Sequence, residues 1–383
     1  MLGVALKMLI GDKAKYLSIV MGLSFSSFII SQQAGILVGI VLRTFGFITD
    51  ISQPTLWITD PSVQYIDDMK PLKDTDLFTV RGVEGVAWAV PLYKGLLQAR
   101  LPNGTIQTCI LIGIDDASLI GGPPVMVEGR LEDLRIEDAV IVDQVGAANK
   151  LAFRDHDQLF PLQVGETMEL NDHRAYVVGK CRVSRTFQSQ PVVYTTYSRA
   201  TTFVPAQRKL LSFILAHHKP GEDPEVVAKR ITEQTGLLAH TKKNMEWLTV
   251  KYYMRYTGIF VNFGVAIILG FIIGTAIAGQ TLYNFTTDNI RFFGIFKAMG
   301  ADNRLLIKMV LLQAVCVSLI GWGIGMGAAC LFGFLTRGTE LSFSMPLFLY
   351  LFSGVSILFI CLFAAALCIR TVIRVEPAIV FKS

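Results

Sequence analysis

The chain has 383 residues, of which 52% are hydrophobic and 17% are charged, and its mean hydropathy is +0.49. Soluble domains are about a quarter charged, so this composition excludes an ordinary soluble protein and is typical of an integral membrane protein. The net charge of +5 does not indicate nucleic-acid binding. In a membrane chain the position of the basic residues matters more than their sum.

Four stretches are long and apolar enough to cross a bilayer, which takes about 20 helical residues. We predict membrane spans at residues 16–42, 257–282, 305–335 and 346–369. The first apolar run exceeds the roughly 7 to 15 residues of a signal-peptide core, so we interpret it as a retained anchor. Its polar side chains indicate interhelical hydrogen bonds, a span end that continues into the next domain, or a lined transport path: Ser24, Ser26, Ser27, Ser31, Gln32 and Gln33.

The segment 43–256, between the first two spans, is large enough for one or two compact domains. Alternating and β-branched stretches predict strands at 85–101, 104–114, 139–145 and 174–183, and residues 222–236 predict an amphipathic helix. The fold class is therefore four transmembrane helices with a large mixed α/β domain between the first and second. The aromatic residues near the end of this segment are typical of a membrane-interface belt: Trp247, Tyr252, Tyr253 and Tyr256.

The connection 283–304 is short and charged. An apolar face at helical spacing predicts a short amphipathic helix there: Phe292, Ile295, Phe296 and Met299. We expect Thr287 or Asp288 to cap its start, Gly300 to end it, and Asp302 or Asn303 to cap the next helix. Such a helix either lies in the lipid headgroup layer or is gripped by a cytoplasmic partner, and physics alone favours the first.

Two overlapping G-x-x-x-G pairs in the third span predict a close helix contact: Gly321 with Gly325, and Gly323 with Gly327. The sequence leaves open whether this contact lies within one subunit or between two.

Basic residues set the expected orientation. Lys7, Lys13 and Lys15 precede the first span, while Arg291, Lys297, Arg304 and Lys308 lie between the second and third. Further basic residues follow the fourth span. The positive-inside rule then places both termini and the 283–304 connection in the cytoplasm, and segment 43–256 outside.

The sequence offers little catalytic chemistry. The Gly179–Lys180 pair is not part of a Walker A loop, so we expect no nucleotide site on this chain. The spans carry no central carboxylate for a proton or sodium relay, which argues against a self-sufficient secondary transporter. Acidic residues beside His156 and His173 leave a weak metal site open, but without a ligand pair at helical or hairpin spacing a solvated polar loop is the better interpretation. No cysteine pair has metal-ligand spacing, and no nucleophile motif is present. A Cys109–Cys181 disulfide stays an open alternative.

The stretch 291–301 resembles the short cytoplasmic segment of MacB/FtsX-type permeases of ABC transporters, of approximate pattern E-R-x-R-E-[FI]-G-[IV]-[LF]-K-A-[LM]-G-A. The residues that fit this pattern are Arg291, Phe293, Gly294, Ile295, Lys297, Ala298, Met299, Gly300 and Ala301. This chain has Asn289 and Phe292 where the family often has Arg and Glu. Residues 5–23 resemble the family's amphipathic N-terminal helix, and residues 128–182 resemble its periplasmic core domain. Residues 374–382 resemble its tail, and together with Thr287–Asp288 they resemble the DevC-like branch.

This resemblance implies a domain plan: a cytoplasmic amphipathic helix (1–15), a first span (16–42), an extracytoplasmic MacB-like core domain (43–256), and a second span (257–282). A cytoplasmic coupling helix (283–304), a third span (305–335), a short outer loop (336–345), a fourth span (346–369) and a cytoplasmic tail (370–383) follow. It also implies the residues that couple to an ATPase: Arg291, Phe292, Phe293, Gly294, Phe296, Lys297, Ala298, Met299 and Gly300.

The resemblance further implies a non-enzymatic subunit in the bacterial inner membrane, of the type VII, mechanotransmission class. It would form a homodimer and bind two copies of a cytoplasmic ATPase, which carries the ATP and Mg²⁺, so this chain itself needs no cofactor. Membrane lipid surrounds it, and such systems often include a periplasmic membrane-fusion adaptor and an outer-membrane channel. We expect export of an amphipathic or lipid-like substrate; the alternative is an FtsX-like signalling subunit that regulates a cell-wall hydrolase without transport.

Overall fold

The computed structural model describes residues 2–155, 158–204 and 211–373. They fall into two compact units, divided at Ile40/Val41 and again at Thr257/Gly258. We call residues 41–257 the α/β unit, and the described residues up to Ile40 and from Gly258 onward the helical unit. Of the predicted tail (370–383), residues 370–373 continue the last helix. The rest of the tail lies outside the described residues.

The chain begins with two helices. Helix α1 (Leu2–Gly11) is followed after one residue by α2 (Lys13–Asp50). Helix α2 therefore continues for eight residues beyond the predicted end of the first span. Its last turns carry the apolar side chains of Phe45, Phe47 and Ile48 among polar ones, and they belong to the α/β unit. The polar side chains Thr44, Thr49 and Asp50 do not break the helix because each still permits helical backbone hydrogen bonds.

The α/β unit is built on a large mixed sheet. The order of its strands is β12-β1-β11-β2-β3-β10-β5-β9-β4, with β8 pairing with β2 and β9. The pairs β3–β10 and β5–β9 are parallel, and the other pairs on this path are antiparallel. The strands are β1 (Leu56–Thr59), β2 (Val86–Arg100), β3 (Ile106–Ile114), β4 (Val125–Glu128), β5 (Ala139–Asp143), β6 (Phe153–Asp155), β7 (Gln158–Phe160), β8 (Thr167–Leu170), β9 (His173–Arg182), β10 (Val192–Thr196), β11 (Phe213–His218) and β12 (Leu238–Thr241).

Short helices cover this sheet. They are α3 (Asp74–Arg81), α4 (Gln144–Ala148), α5 (Tyr197–Phe203), α6 (Pro224–Thr235) and α7 (Lys242–Tyr256). Helix α6 matches the predicted helix 222–236: Asp223 caps its start, Pro224 opens it, and Gly236 ends it at φ +74°. The predicted strands are also found, except that the third ends at Asp143, whose side chain caps α4.

The α/β unit buries aliphatic side chains on both faces of the sheet. One cluster contains Phe47 and Ile48 of α2, together with Trp57, Phe213 and Met245. The end of α2 is therefore part of the core of this unit.

The predicted aromatic belt is partly wrong. Tyr253 is buried, with its ring 5.7 Å from that of Tyr65 and 4.8 Å from that of Phe187. Tyr252 stacks on Tyr65 at 4.0 Å. Helix α7 turns these rings toward its own unit, a contact that spacing along one segment could not reveal. Trp247 remains exposed.

The remaining helices complete the helical unit. They are α8 (Ile259–Asp288), α9 (Ile290–Ala298), α10 (Asn303–Leu335) and α11 (Leu347–Ile373). Among the described residues, four helices are long and apolar enough to cross a membrane: α2, α8, α10 and α11. The predicted fold class, four such helices with a mixed α/β domain between the first and second, is confirmed.

Candidate functional site

Helix α9 is separated from α8 by a single residue. Thr287 and Asp288 belong to the last turn of α8, so the prediction that either of them caps α9 is wrong. Asn289 precedes α9 instead, and its side-chain amide donates to the carbonyl of Phe285 at 2.8 Å. The last carbonyls of a helix have no partner within the helix. The Asn289 amide supplies a donor to one of them, so the chain can turn here without leaving that carbonyl unpaired.

Gly300 ends α9 as predicted. Its φ is +88°, a conformation that only glycine adopts without strain. The turn is closed by Ala301 N donating to Phe296 O at 2.9 Å and Gly300 N donating to Lys297 O at 3.0 Å. Asp302 then precedes α10, although the N-terminal N–H groups of that helix receive no bond from its side chain. Because α9 is short and is followed by this tight turn, it stays close to the end of α8 and the start of α10.

The predicted apolar face of α9 is divided between two directions. Phe293 is fully buried in the core of the helical unit, and Phe296 packs against the same core. Phe292, Ile295 and Met299 point outward, and Phe292 and Met299 are more than half exposed. We call Phe292, Ile295 and Met299 the outward face. Sequence spacing placed Phe296 with these residues, but the larger apolar surface of the neighbouring helices draws it inward.

Basic side chains surround the outward face. Arg291 at the start of α9 and Arg304 at the start of α10 are exposed, and Lys297 is half-buried. The surface thus combines an apolar centre with positive charges, which is the usual composition of a protein docking patch.

Helix α1 lies against α10 in the same unit. Ala5 and Leu9, one turn apart, are buried in the helical core. Gln313, almost fully buried in α10, donates from its side-chain amide to the carbonyl of Ala5 at 2.7 Å. A buried amide in an apolar helix needs such a partner. Gln313 therefore fixes the depth at which α1 docks.

An ionic contact joins the start of α2 to the end of α8. The Lys15 ammonium pairs with Asp288 and also with Asp12, the latter at 2.9 Å. The hydrogen bond from the Lys15 side chain is the main reason that the pKa of Asp12 is lowered. These groups are solvent-exposed, so the contact orients the helix ends more than it stabilises the fold.

An open pocket of about 750 Å³ lies between α1 and α9. Its walls are apolar at Met8 and Phe292, and four of the other lining residues are charged. The lining residues are Lys7, Met8, Gly11, Asp12, Lys13, Asp288, Asn289 and Phe292. The pocket extends the outward face toward the N-terminal helix, and the two features form one continuous candidate site.

The structure divides the residues predicted to couple to an ATPase. Arg291, Phe292, Ala298, Met299 and Gly300 are exposed and available to a partner, whereas Phe293 and Gly294 are buried. Sequence reasoning did not single out Gln313 or the contact of Lys15 with Asp288. A glutamine inside an apolar span was a usable signal for the first, but the pairing of Lys15 with Asp288 requires tertiary structure.

The glycines of α10 face two directions. A Cβ placed on Gly321 would lie 2.6 Å from Leu23 Cβ, and one placed on Gly325 would lie 2.3 Å from Ser24 O, both on α2. A Cβ on Gly323 or Gly327 would meet nothing within 4 Å. The first pair thus allows close packing within one chain.

Polar side chains of the first span face this packing. Ser27 donates to the carbonyl of Trp322 at 3.3 Å. The buried hydroxyls of Ser26 and Ser31 have no hydrogen-bond partner among the described residues. Ser26 instead lies against the position that a Cβ on Gly274 of α8 would take. Interhelical contacts therefore account for Ser26 and Ser27. Ser24 and Gln33 instead bond within α2, to Val20 O and to the side chain of Gln32.

No metal-ligand cluster occurs in the part of the chain that the structure describes. Cys109 and Cys181 are unpaired and buried, so the open alternative of a disulfide is not realised. Burial raises the pKa of both thiols, which makes them poor nucleophiles. His156 lies outside the described residues.

Comparison with known families assigns the chain. Residues 18–234 match the model of the MacB-like periplasmic core domain, and residues 256–377 match that of the FtsX-like permease C-terminal domain. The protein belongs to the MacB/FtsX family of ABC transporter permeases. Because a permease of this class works with an ATPase, the family also implies an ATPase partner.

Relatives of this permease agree with the assignment. Uncharacterized ABC transporter permeases from two strains of Mycobacterium tuberculosis, H37Rv and CDC 1551, are each 24% identical over 313 residues, which is 81% of this chain and 79% of the relative.

Two solved structures also resemble the permease. The periplasmic region of MacB from Actinobacillus actinomycetemcomitans is 17% identical, and the alignment covers 55% of this chain and 96% of that chain, with a TM-score of 0.37. The extracellular domain of the ABC-type transporter YknZ from Gram-positive bacteria is 14% identical, covering 49% of this chain and 100% of that chain, with a TM-score of 0.35. TM-scores of this size assign no fold on their own, and the family models carry the assignment.

Proposed function

We propose that this permease converts ATP hydrolysis by a separate cytoplasmic ATPase into movement of its α/β unit, and thereby exports an amphipathic or lipid-like substrate. The observation that carries the proposal is the outward face of α9, an exposed apolar patch with a basic border beside the α1 pocket. The ATPase binds ATP and Mg²⁺, and this chain contributes contacts rather than catalysis.

The outward face suits a protein partner better than lipid alone. A helix that only lies in the headgroup layer keeps one wide apolar face toward the acyl chains. In α9 the two largest inward side chains, Phe293 and Phe296, are already packed on the helical core. The remaining patch is narrow, exposed and bordered by Arg291 and Arg304, which favours a partner with complementary acidic groups.

The orientation is supported by the Lys15–Asp288 contact. It brings the start of α2 and the end of α8 together, so both helix ends lie on one side of the helical unit. Basic residues concentrate at these ends, and the positive-inside rule makes that side cytoplasmic. We therefore place both termini and α9 in the cytoplasm of a bacterial inner membrane.

Transmission of the movement is supported by α2. This helix runs without interruption from Lys13 to Asp50, and its last turns contribute Phe47 and Ile48 to the core of the α/β unit. A continuous helix resists bending because every turn is held by its own hydrogen bonds. ATP-driven closure of the ATPases displaces α9 and α1, and α2 passes the displacement outward. The ATPase stabilises the displaced state by contacts that differ between the two states.

Export is favoured over regulation of a cell-wall hydrolase. Residues 18–234 match the MacB-like periplasmic core domain. We associate this domain with export rather than with regulation of a hydrolase. The spans carry no central charge, which suits an amphipathic substrate that does not cross through a polar channel. We further propose a homodimer with two ATPase subunits, and a periplasmic adaptor with an outer-membrane channel as further partners.

The test replaces the outward face. The double variant Phe292→Asp with Met299→Asp should lower ATPase co-purification by about tenfold or more, because central aromatic contacts dominate interface energies. Transport should fall in parallel. The matched control is Leu335→Asp, an equally apolar and exposed residue at the opposite end of α10.

Phe296→Asp is a weaker test because Phe296 packs inward and its replacement would disturb the fold itself. The proposal fails if the Phe292/Met299 variant reaches the membrane at normal abundance, binds the ATPase normally and transports normally. A control that loses the ATPase to the same extent would also contradict it.

A further inference from the structure

The α/β unit begins and ends with helix. The last turns of α2 and the first turns of α7 pack in one buried cluster, in which Phe47 and Ile48 of α2 accompany Met245 of α7. Helix α2 is continuous with the first span, and α7 is followed after two residues by the second. The two helices that connect this unit to the spans therefore meet inside the unit.

One side chain ties these helix ends together. The Lys242 ammonium, in the first turn of α7, donates to the carbonyls of Thr49 and Ile51, each at 3.1 Å. The last carbonyls of a helix have no partner within the helix, and a lysine at this end both hydrogen-bonds them and opposes the negative end of the helix dipole. The backbone N–H of Lys242 also donates to Thr55 O at 3.2 Å.

Thr49 and Asp50, at the end of α2, make further side-chain contacts. Thr49 Oγ1 lies 3.4 Å from a carboxylate oxygen of Glu246, one turn further along α7. At the same helix end, Asp50 accepts from Ser184 N and Ser184 Oγ, both at 2.7 Å, and its carboxylate also interacts electrostatically with Lys242. Ser184 fixes α2 to the sheet side of the unit, whereas Lys242 provides the polar connection to the two terminal carbonyls from α7.

From this geometry we infer that Lys242 is a positioning residue, which makes the end of α2 and the start of α7 move as one body. The inference rests on the proposed function in that these helices carry the movement outward. The pairing of β1 with β12 already brings the start of α7 beside the end of α2, but apolar packing between the two helix ends is not directional. The two directed bonds from Lys242 specify how the last carbonyls of α2 lie against α7. The α/β unit then receives displacement from both spans together.

The chain supplies matched variants. Lys242→Met keeps the length and apolar stem of the side chain and removes its donors. Lys242→Arg keeps donors and charge. Lys243→Met removes the adjacent lysine, which is exposed. These variants separate the directed bonds from the general effect of a lost positive charge.

The experiment measures a distance in the full permease–ATPase complex in lipid nanodiscs. Spin labels replace Leu42 on α2 and Trp247 on α7, both exposed, and pulsed EPR compares the nucleotide-free and ATP-trapped states. We expect one narrow distance in both states for the unmodified background, Lys242→Arg and Lys243→Met. For Lys242→Met we expect a broadened distribution, with transport per ATP hydrolysed lower by about fivefold or more.

Two results would overturn the inference: a Lys242→Met distribution as narrow as the background, or a background distance that changes between the nucleotide states. The EPR result decides the inference even if no substrate is transported. If the proposed function is wrong, the permease without a Lys242 substitution will fail to bind the ATPase or to transport, although the distance between its labels is narrow. Unchanged melting temperature of Lys242→Met would show that misfolding is not the cause.

Discussion

The two units of this permease solve the problem of buried polar groups differently. In the α/β unit, buried charges are paired: the Lys94 ammonium pairs with Asp67, and the Asp143 carboxylate accepts from Gly146 N and Val192 N. In the helical unit, the buried polar side chains of the described residues are uncharged, such as Ser26, Ser31 and Gln313. Buried polar atoms without a partner among the described residues occur in both units, including Trp57 Nε1 and His240 Nε2 in the α/β unit.

This difference has a mechanical meaning. Paired charges and directed bonds hold one arrangement because any shift leaves a buried group unsatisfied. Contacts between small residues involve no buried charge, so a small helix shift leaves no ion unpaired. We therefore expect internal shifts to cost more at the buried charges of the α/β unit than at the glycine contacts of the helical unit. The helical unit has polar contacts at and just after α1: Gln313 donates to Ala5 O, and Lys15 pairs with Asp288.

The largest expected effect comes from breaking a buried pair in the α/β unit. Lys94→Ala leaves the Asp67 carboxylate unpaired in a site where the side chains of Lys94 and Asp67 are 3% and 11% exposed. It should lower the free energy of unfolding by about 3–5 kcal/mol. Thermal unfolding of the full chain in detergent measures the loss.

Lys70→Ala is the control for that variant. Lys70 pairs with Asp68 at 3.3 Å on the surface of the same loop region, and its loss should cost less than about 1 kcal/mol. Equal melting temperatures for the two variants would mean that the α/β unit is not held by its buried charges.

A smaller effect is expected from the glycine contact in the helical unit. Gly325→Ala forces a methyl group against Ser24 O of α2 and should destabilise the helical unit by about 1–3 kcal/mol, the usual cost of overpacking. Gly323→Ala, two residues away, meets open space and should be nearly neutral. Thermostability in detergent compares the pair, and equal stabilities would refute the assigned contact with α2.

The smallest effect concerns the docking of α1. Gln313→Leu removes the bond to Ala5 O and should cost about 0.6–1.7 kcal/mol, the range for polar contacts between membrane helices. Leu fills the same space as Gln, so the spans should stay folded. Helix α1 should loosen because it loses its hydrogen bond to Gln313. Faster labelling of a cysteine introduced at Lys7 would report this change, and an unchanged labelling rate would show that Gln313 does not hold α1.

The sequence predicted much of the architecture. Uninterrupted apolar runs predicted the four long helices, and alternation of apolar residues predicted β2, β3, β5 and β9. It misplaced Phe296 and Tyr253, because a helix with several apolar directions leaves open which of them finds a neighbour. It left open that the first span continues into the next domain, but it did not place the end of α2 at Asp50, since the end of an apolar run is not the end of a helix. The partners of Lys15, Lys242 and Gln313 are distant in sequence, and no local pattern could give them.

The central claim is that an ATPase binds the outward face of α9. A photo-crosslinking amino acid at Met299, more than half exposed on that face, tests it in native membranes. We expect a covalent product with a cytoplasmic ATPase subunit, and no such product from the same probe at Val261, an exposed apolar residue of α8. Crosslinks from Met299 to lipid alone, with the ATPase still co-purifying, would contradict the account.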